Sequence, residues 1–250
     1  MPTQNRVAII LAAGQGTRMK SPLAKVLHEL SGRPLIQYVL DCAREAGLDR
    51  QVVVVGFQKD RVEAVLKGYP VEFVEQLEQN GTGHAVQLAL RNLGNEGGTV
   101  VVLSGDSPFL RPSTVSGLME EHSAAGNDCT VLTAVVPDPQ GYGRIVRDDS
   151  GSIRAIVEDA DCSAAEKEIR EINSAIYCFS LTALVSCIGL LRTDNVQEEL
   201  YLTDVVRIMY SRGLKVGTFV VPDGREILGI NTVEQLKAGE EMLRELGKAG

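Results

Sequence analysis

The chain has 250 residues, of which 44% are hydrophobic, so it can bury one large core. Its 25 basic and 33 acidic residues give a net charge of −8, which disfavours a nucleic acid or an anionic membrane as a partner. Aromatic residues make up 4% of the chain and Trp is absent, so a stacking surface for single-stranded nucleic acid is not expected either.

The first predicted element is a buried strand at residues 7–11 that runs directly into a glycine-rich loop. Residues 7–25 have the sequence V-A-I-I-L-A-A-G-Q-G-T-R-M-K-S-P-L-A-K. An apolar run followed by glycine is typical of a parallel strand that turns sharply at its carboxyl end. Glycines expose N–H groups to phosphate oxygens, and Arg18 and Lys25 add the positive charge that a triphosphate requires. The segment predicts a phosphate-binding loop at the edge of an α/β sheet.

The spacing distinguishes this loop from two other phosphate-binding loops. The dinucleotide pattern G-x-G-x-x-G meets Met19 where its third glycine should be, and the Walker pattern fails because Thr17 follows Gly16. The remaining pattern, L-x-x-G-x-G-T-R-M with a lysine farther along, resembles the signature of the sugar-nucleotidyltransferase superfamily. A plain glycine-rich turn before a helix is the structural alternative.

Strand-like and helix-like segments alternate through the first half of the chain. The predicted strands are residues 7–11, 51–55, 71–74 and 99–103. The predicted helices are residues 34–46, 60–67, 83–93 and 113–125. This alternation predicts a Rossmann-like, doubly wound and mostly parallel sheet, in which ligands bind beyond the carboxyl ends of the strands.

After about residue 126 the pattern changes to short strands separated by turn sequences. These strands are predicted at residues 129–136, 145–147, 153–157 and 172–179. They indicate a small antiparallel substrate-binding lobe at about 126–180 within a nucleotidyltransferase-type domain of residues 1–231. Helices near 181–190 and 203–211 and a strand at 215–221 follow. Thr232 and Gln235 predict a capping box for a C-terminal helix within 232–250, with an apolar stripe formed by Val233, Leu236, Leu243 and Leu246.

Two further motifs end at the same predicted edge of the sheet. Q-N-G-T-G-H-A at residues 79–85 places glycines before a helix, a pattern that suits a base or ribose but also an ordinary helix cap. V-V-V-L-S-G-D-S-P at residues 100–108 places Asp106 after an apolar strand. A lone carboxylate beside phosphates suits Mg²⁺, although Asp106 could instead cap a turn.

Together these motifs resemble the uridylyltransferase domain of the bacterial N-acetylglucosamine-1-phosphate uridylyltransferases, over nearly the whole chain and in the same order. The resemblance implies catalytic roles for Arg18 and Lys25 on the phosphates and metal ligation by Asp106 and Asn231. It also implies a nucleotide site and a sugar-phosphate site. The nucleotide-binding residues implied are Leu11, Ala12, Ala13, Gly14, Gln76, Gly81 and Thr82, and the sugar-phosphate-binding residues are Gly143, Glu158, Asn173 and Thr203.

The resemblance implies an Mg²⁺-dependent enzyme whose partners are UTP and a sugar-1-phosphate. The expected reaction transfers a uridylyl group from UTP to N-acetylglucosamine-1-phosphate, giving UDP-N-acetylglucosamine and pyrophosphate for cell-wall biogenesis. A sister enzyme using another sugar-1-phosphate or another pyrimidine nucleotide is the first alternative. A catalytically silent nucleotide-sugar sensor is the second, although such a sensor should have lost the phosphate cations or metal ligands that this chain keeps.

Three departures from the family pattern concern the reactive loop and the sugar side. Ala24 stands where the family usually has Pro, the run after Glu158 lacks the usual lysine, and Ala175 replaces a common glycine. No hexapeptide repeat is present, so we expect no left-handed β-helix and no acetyltransferase activity from these residues. Whether the chain is a stand-alone enzyme or a fragment, and its oligomeric state, are left open.

Cysteine usage and hydropathy bear on the compartment. The five cysteines are scattered without a C-x-x-C pair, which is typical of reduced thiols, and the three histidines are equally dispersed, so no zinc site is expected. No apolar run reaches bilayer-spanning length, and the amino-terminal residues lack a signal-type apolar core. We expect a soluble, cytoplasmic protein.

Overall fold

The computed structural model describes residues 5–94 and 97–245, which form an α/β fold. In chain order, the strands are β1 (Arg6–Ala12), β2 (Glu29–Leu30), β3 (Arg33–Pro34), β4 (Arg50–Val55), β5 (Val71–Glu75), β6 (Thr99–Ser104), β7 (Cys129–Val135), β8 (Arg144–Arg147), β9 (Ile153–Val157), β10 (Glu171–Ser180) and β11 (Val216–Val220). The helices are α1 (Leu35–Glu45), α2 (Lys59–Val65), α3 (Thr82–Leu90), α4 (Pro112–Ala125), α5 (Ala164–Lys167), α6 (Leu181–Ile188), α7 (Asp204–Ser211) and α8 (Val233–Glu245).

The central sheet has the strand order β11-β7-β10-β6-β1-β4-β5. Strands β6, β1, β4 and β5 are parallel, so the predicted doubly wound, mostly parallel sheet is confirmed. The chain moves from β1 outward to β4 and β5 and then returns to place β6 on the other side of β1. This reversal lies between β1 and β6, and a crevice at such a point is where open α/β sheets bind ligands.

Two apolar layers cover the faces of the sheet. Strand β1 sends Ala8, Ile10 and Ala12 into one buried cluster and Val7 and Ile9 into the other. The first cluster includes residues of α1, α2 and α4, and the second includes residues of α3, α6 and α7. Because β1 is buried on both faces, its apolar run is continuous and not alternating, which is what a central parallel strand requires.

The antiparallel strands β7 to β10 belong to the central sheet, whereas β2 and β3 form a separate two-stranded hairpin. Strand β10 pairs antiparallel with both β6 and β7, and β11 pairs parallel with β7. The hairpin of β8 and β9 attaches to β10 through the pairing of Ile172 with Arg144. The substrate lobe expected at about 126–180 is therefore an extension of the main sheet, from which β8 and β9 project.

The C-terminal helix α8 begins with the predicted capping box. The Gln235 N–H donates to Thr232 Oγ1 at 3.2 Å, and the Thr232 N–H donates to Gln235 Oε1 at 3.1 Å. Of the predicted apolar stripe, Leu243 is fully buried, Leu236 packs against the same cluster and Val233 is exposed. Leu246 lies outside the described residues. The stripe thus packs on its own domain through Leu236 and Leu243.

Two further findings concern the cysteines and the helices. Four of the five cysteines are buried, namely Cys42, Cys129, Cys178 and Cys187. Within residues 5–94 and 97–245, no helix combines the length and the apolar character needed to cross a bilayer.

Candidate active site

The loop that follows β1 brings its lysine back against its own glycine. Gly16 has a φ of +73°, and a Cβ built on it would lie 2.5 Å from the Cβ of Lys25. No side chain fits at this position, because the backbone is left-handed and Lys25 packs directly against it. Short 3₁₀ turns at Thr17–Met19 and Lys25–Leu27 bury Met19, Val26 and Leu27, which fixes the loop between them. The glycine spacing therefore serves the placement of Lys25.

The structure brings the two predicted catalytic cations together with the two predicted metal ligands. Lys25 Nζ forms an ion pair with Asp106 Oδ2 and donates a hydrogen bond to Asn231 Oδ1 at 3.1 Å. Arg18 Nη2 donates to the same Asn231 oxygen at 2.8 Å. The backbone supports this arrangement, since the Ile230 N–H donates to the Asp106 carbonyl oxygen at 3.0 Å. Four side chains from three distant segments thus meet where β1 and β6 end.

The carboxyl group of Asp106 is buried but remains ionised. Burial raises its pKa, whereas the charge of Lys25 and hydrogen bonds from Lys25 and Ser104 lower it, and the net pKa lies below the usual value. A buried carboxylate keeps its charge only when it is paired in this way. Asp106 is therefore a fixed negative charge within a site that also contains two positive side chains.

Two adjoining cavities open beside this cluster. The first, of about 260 Å³, is lined by all seven residues predicted for the nucleotide, and Lys25 and Asp106 also line it. The second, of about 290 Å³, is lined by residues 14–18 together with Lys25, Gln79 and Asn231. Gly14, Lys25 and Gln79 line both cavities. The cavity of the predicted nucleotide residues and the cavity of the predicted phosphate residues thus share part of their walls, with Lys25 at the junction.

The first cavity contains a glutamine whose orientation is fixed. Gln76 is 4% exposed, and its Nε2 donates to the Gly81 carbonyl oxygen at 3.0 Å. The glycine motif at residues 79–85 lies against the backbone of Leu200. This close packing requires glycine at position 81, where φ is +97° and a Cβ would collide with Leu200. With its NH₂ group held by Gly81, Gln76 offers Oε1 as an acceptor. An acceptor held in this way can select a base by its hydrogen-bond donors.

The four residues predicted for the sugar phosphate also lie together. Thr203 Oγ1 donates to Glu158 Oε1 at 3.1 Å, and the Asn173 N–H donates to the Gly143 carbonyl oxygen at 2.9 Å. A Cβ built on Gly143 would lie 3.5 Å from both Asn173 Cβ and Glu158 Oε2. None of the four is among the described residues that line the first cavity, but Ala175, two residues after Asn173, does line it. Strand β10, which contains both Asn173 and Ala175, therefore connects these four residues, called the sugar cluster, to the first cavity.

The pKa of Glu158 is shifted in the opposite direction from that of Asp106. Burial raises the pKa of Glu158, the hydrogen bond from Thr203 lowers it, and Asp161, Asp204 and Asp159 raise it further, so its net pKa is above the usual value. Glu158 accepts a hydrogen bond from Thr203, and among the residues that the structure describes no cation pairs with it as Lys25 pairs with Asp106. Such a carboxylate is suited to accept hydrogen bonds from hydroxyl groups.

Several residues of the site were missed from the sequence. One of them is Tyr142, which directly precedes Gly143. Burial and the negative charge of Asp106 raise the pKa of Tyr142, and the positive charge of Arg18 lowers it, so its hydroxyl interacts electrostatically with both groups. Gln79 donates from Nε2 to the Ala13 carbonyl oxygen at 2.9 Å, and Glu199 lines the first cavity. Gln79 opens the glycine motif at residues 79–85, and Tyr142 directly precedes Gly143, so their neighbours in sequence are the signal that could have found them. Glu199 lies in an irregular segment without such a signal.

Comparison with known proteins agrees with this geometry. The family model described as the MobA-like NTP transferase domain matches residues 8–165, more than half of the chain. Proteins named "Bifunctional protein GlmU" are similar to nearly all of it. That of Heliobacterium modesticaldum is 47% identical over 240 residues, covering 96% of this chain and 52% of the relative. That of Streptomyces avermitilis is 48% identical over 241 residues, covering 95% and 50%.

A third relative gives the same result. The protein of that name from Lactococcus lactis subsp. lactis is 44% identical over 242 residues, covering 96% of this chain and 52% of the relative. The chain spans about half the length of the curated relatives it matches. The matches confirm the resemblance to nucleotidyltransferases that the motifs predict.

Proposed function

The chain belongs to the MobA-like NTP transferase family, and from this premise we propose that it transfers a uridylyl group from UTP to N-acetylglucosamine-1-phosphate. The products are UDP-N-acetylglucosamine and pyrophosphate. One observation carries the proposal: Lys25 joins Asp106 and Asn231 at the junction of the two adjoining cavities. A nucleotide in the first cavity would extend its phosphates past Lys25 into the second, where Arg18 lies.

The preference for uracil is proposed from Gln76. Its Oε1 acceptor suits the N3–H donor of uracil or thymine, whereas cytosine presents an acceptor at that position and would leave both groups unpaired. The neutral walls formed by Leu11, Ala12 and Ala13 fit the base and ribose. The four residues at the adjacent cluster would bind the sugar phosphate: Gly143, Glu158, Asn173 and Thr203.

The residues present fit an Mg²⁺ ion. A carboxylate oxygen of Asp106 and an amide oxygen of Asn231 both contact one ammonium group, so they converge on a point where a cation is accommodated. Hard oxygen donors of this kind suit Mg²⁺, which takes its other ligands from water and substrate phosphates. The part of the chain that the structure describes has no group of three or more His, Cys, Asp or Glu side chains placed to hold a metal, consistent with a shared site. When bound, Mg²⁺ would neutralise charge on the reacting phosphates.

The chain's own residues would act by position and charge. The sugar phosphate is already ionised at neutral pH, so its oxygen attacks the α-phosphorus without a general base, and the bond to the β-phosphate oxygen breaks to release pyrophosphate. Lys25 stabilises the charge on the reacting phosphates, and Arg18 stabilises the departing pyrophosphate. Tyr142, which directly precedes Gly143, interacts electrostatically with both Asp106 and Arg18, so we assign it to the boundary between the phosphate and sugar sides.

The decisive experiment measures pyrophosphate release across a matrix of nucleoside triphosphates and sugar-1-phosphates, with and without EDTA. We expect the fastest release with UTP and N-acetylglucosamine-1-phosphate and none with EDTA. Faster release with another sugar would favour the sister enzyme, for which Ala175 is the specific reason, since its methyl group lies in the wall of the first cavity. No release from any pair would favour the sensor. A cytoplasmic location belongs to the same proposal and is supported by the five cysteines being scattered without a C-x-x-C pair.

A further inference from the structure

The turn that follows β4 supports the phosphate-binding loop at both of its ends. At the start of the loop, the Phe57 N–H donates to the Ala13 carbonyl oxygen at 3.0 Å. At its end, Gln58 Oε1 accepts the Ala24 N–H at 3.0 Å, and Gln58 Nε2 donates to the Pro22 carbonyl oxygen at 2.7 Å. The Gln58 side chain therefore bonds to the residue before Leu23 and to the residue after it. The latter, Ala24, directly precedes Lys25.

The bond to Ala24 matters because of where Ala24 lies. Ala24 is fully buried, and a buried N–H without a partner is strongly unfavourable. Its φ of −55° and ψ of 136° orient the chain into the 3₁₀ turn that starts at Lys25. A proline would fix such a φ by its ring, whereas alanine has no such restraint. The Gln58 carboxamide supplies the restraint that the alanine lacks.

Gln58 is itself held in an unfavourable conformation. Its φ is +55° and its ψ is 38°, which is the left-handed region that is unfavourable for a residue with a Cβ. Its carbonyl oxygen accepts the N–H groups of Arg61 and Val62, so it is anchored to the first turn of α2. Strain at a residue whose side chain supports a reactive loop is typical of a functional constraint.

We propose that Gln58 is a positioning residue that sets the direction of the Lys25 side chain. The proposal rests on the proposed function for what Lys25 does, but not for where Lys25 is held. Gln58 acts through the backbone of residues 22–24. Two restraints then place the Lys25 ammonium between Asp106 and Asn231: Gly16 packs against the side chain, and Gln58 fixes the backbone before it.

The first test measures the kinetics of Gln58 variants. We expect Gln58→Ala to lower kcat about tenfold, which corresponds to about 1.4 kcal/mol. Gln58→Glu keeps an acceptor for Ala24 and loses the donor to Pro22, so it should lose less. In an Ala24→Pro background the N–H is absent and the ring fixes φ, so Gln58→Ala should then cost about threefold or less. An equal loss in both backgrounds would overturn the proposal.

The second test does not depend on catalysis. Lysine amines are acetylated with a limiting amount of acetic anhydride, and the rate at each lysine is measured by peptide mass spectrometry. The Lys25 ammonium is ion-paired and therefore protected, and in Gln58→Ala it should react about tenfold faster relative to the exposed Lys67. An unchanged Lys25 rate would overturn the proposal even if turnover fell.

Gln37→Ala is the matched control. Gln37 Nε2 donates to the Val65 carbonyl oxygen at 3.2 Å, so this variant removes a similar amide-to-backbone bond at the opposite end of α2. It should lower the melting temperature by as much as Gln58→Ala and leave both kcat and Lys25 labelling unchanged. If the wild-type protein shows no turnover, the proposed function fails, while the labelling experiment still decides the role of Gln58.

Discussion

At the scale of single residues, the site depends on the pairing of Lys25 with Asp106. This ion pair is what keeps the buried Asp106 carboxylate charged. Lys25→Ala should therefore change both the turnover and the stability of the protein. Turnover should fall by at least about 100-fold, because a cation at the reacting phosphates is lost. Lys67→Ala, at an exposed lysine of the same charge, should change neither turnover nor stability.

The same variant changes how stability depends on pH. In the wild type the folded-state pKa of Asp106 is lowered, so its contribution is present above pH 3.8 and is lost as the pH falls through the folded-state pKa. Without Lys25, burial is the dominant effect and the pKa rises. The free energy of unfolding of Lys25→Ala, measured in urea, should therefore fall below that of the wild type as the pH rises from 4 to 7. Parallel curves would contradict the pairing.

Glu158 should show the opposite behaviour. Its pKa is raised, so its ionised form costs stability above the folded-state pKa, and this cost disappears as the pH falls towards 4.5, the usual pKa of a glutamate. Glu158→Gln should therefore be more stable than the wild type at pH 7 and equal to it at pH 4. The KM for the sugar phosphate should rise about tenfold, because a charged acceptor becomes neutral, while the KM for UTP stays constant. A larger KM for UTP alone would place Glu158 on the nucleotide side.

At the scale of elements, strand β10 contains an irregularity at the site. Its register with β7 shifts between Asn173 and Tyr177, and Ala175 within this bulge has a φ of +61°. Ala175→Gly should therefore raise the free energy of unfolding by about 1 kcal/mol, because glycine adopts this conformation without a steric penalty. Ala238→Gly, at an exposed position inside α8, should lower it by about 1 kcal/mol. Urea denaturation of both variants checks the two signs, and destabilisation by Ala175→Gly would refute the backbone argument.

The elements that could be predicted from the sequence are those marked by a continuous apolar run, a helical period or a capping motif. Every strand of the parallel half, the capping box at Thr232 and the final helix follow from local patterns. The hairpin of β2 and β3 was missed, because two-residue strands have no measurable period. The joining of β10 to β6 was missed as well, because pairing between distant strands leaves no local signal. The departure at Ala175 was visible, but only the structure shows that it lies at a positive φ.

At the scale of the whole molecule, the site is assembled from segments far apart in the chain. The motifs predict which residues face the cavities, because each motif follows a strand whose carboxyl end lies at the same edge. They do not predict Glu199 or the electrostatic interaction of Tyr142 with Asp106 and Arg18, since these depend on how the loops pack. The position of helix α8 beside the site likewise depends on packing between distant segments. Its Leu243 belongs to one buried cluster with Met19, which follows Arg18, and Ile230, which precedes Asn231.

From this cluster we predict that a substitution in α8 will weaken the proposed metal site from a distance. Leu243→Ala should cost about 2–5 kcal/mol and loosen the support of Met19 and Ile230. Arg18 and Asn231 would then be held less firmly, so the Mg²⁺ concentration for half-maximal pyrophosphate release should rise about tenfold. Leu118→Ala removes an equally buried leucine from the cluster that contains α4. Leu118→Ala should lower the free energy of unfolding by a similar amount without changing the Mg²⁺ concentration for half-maximal release. If that concentration rose equally in both variants, α8 would support only the fold and not the positions of Arg18 and Asn231.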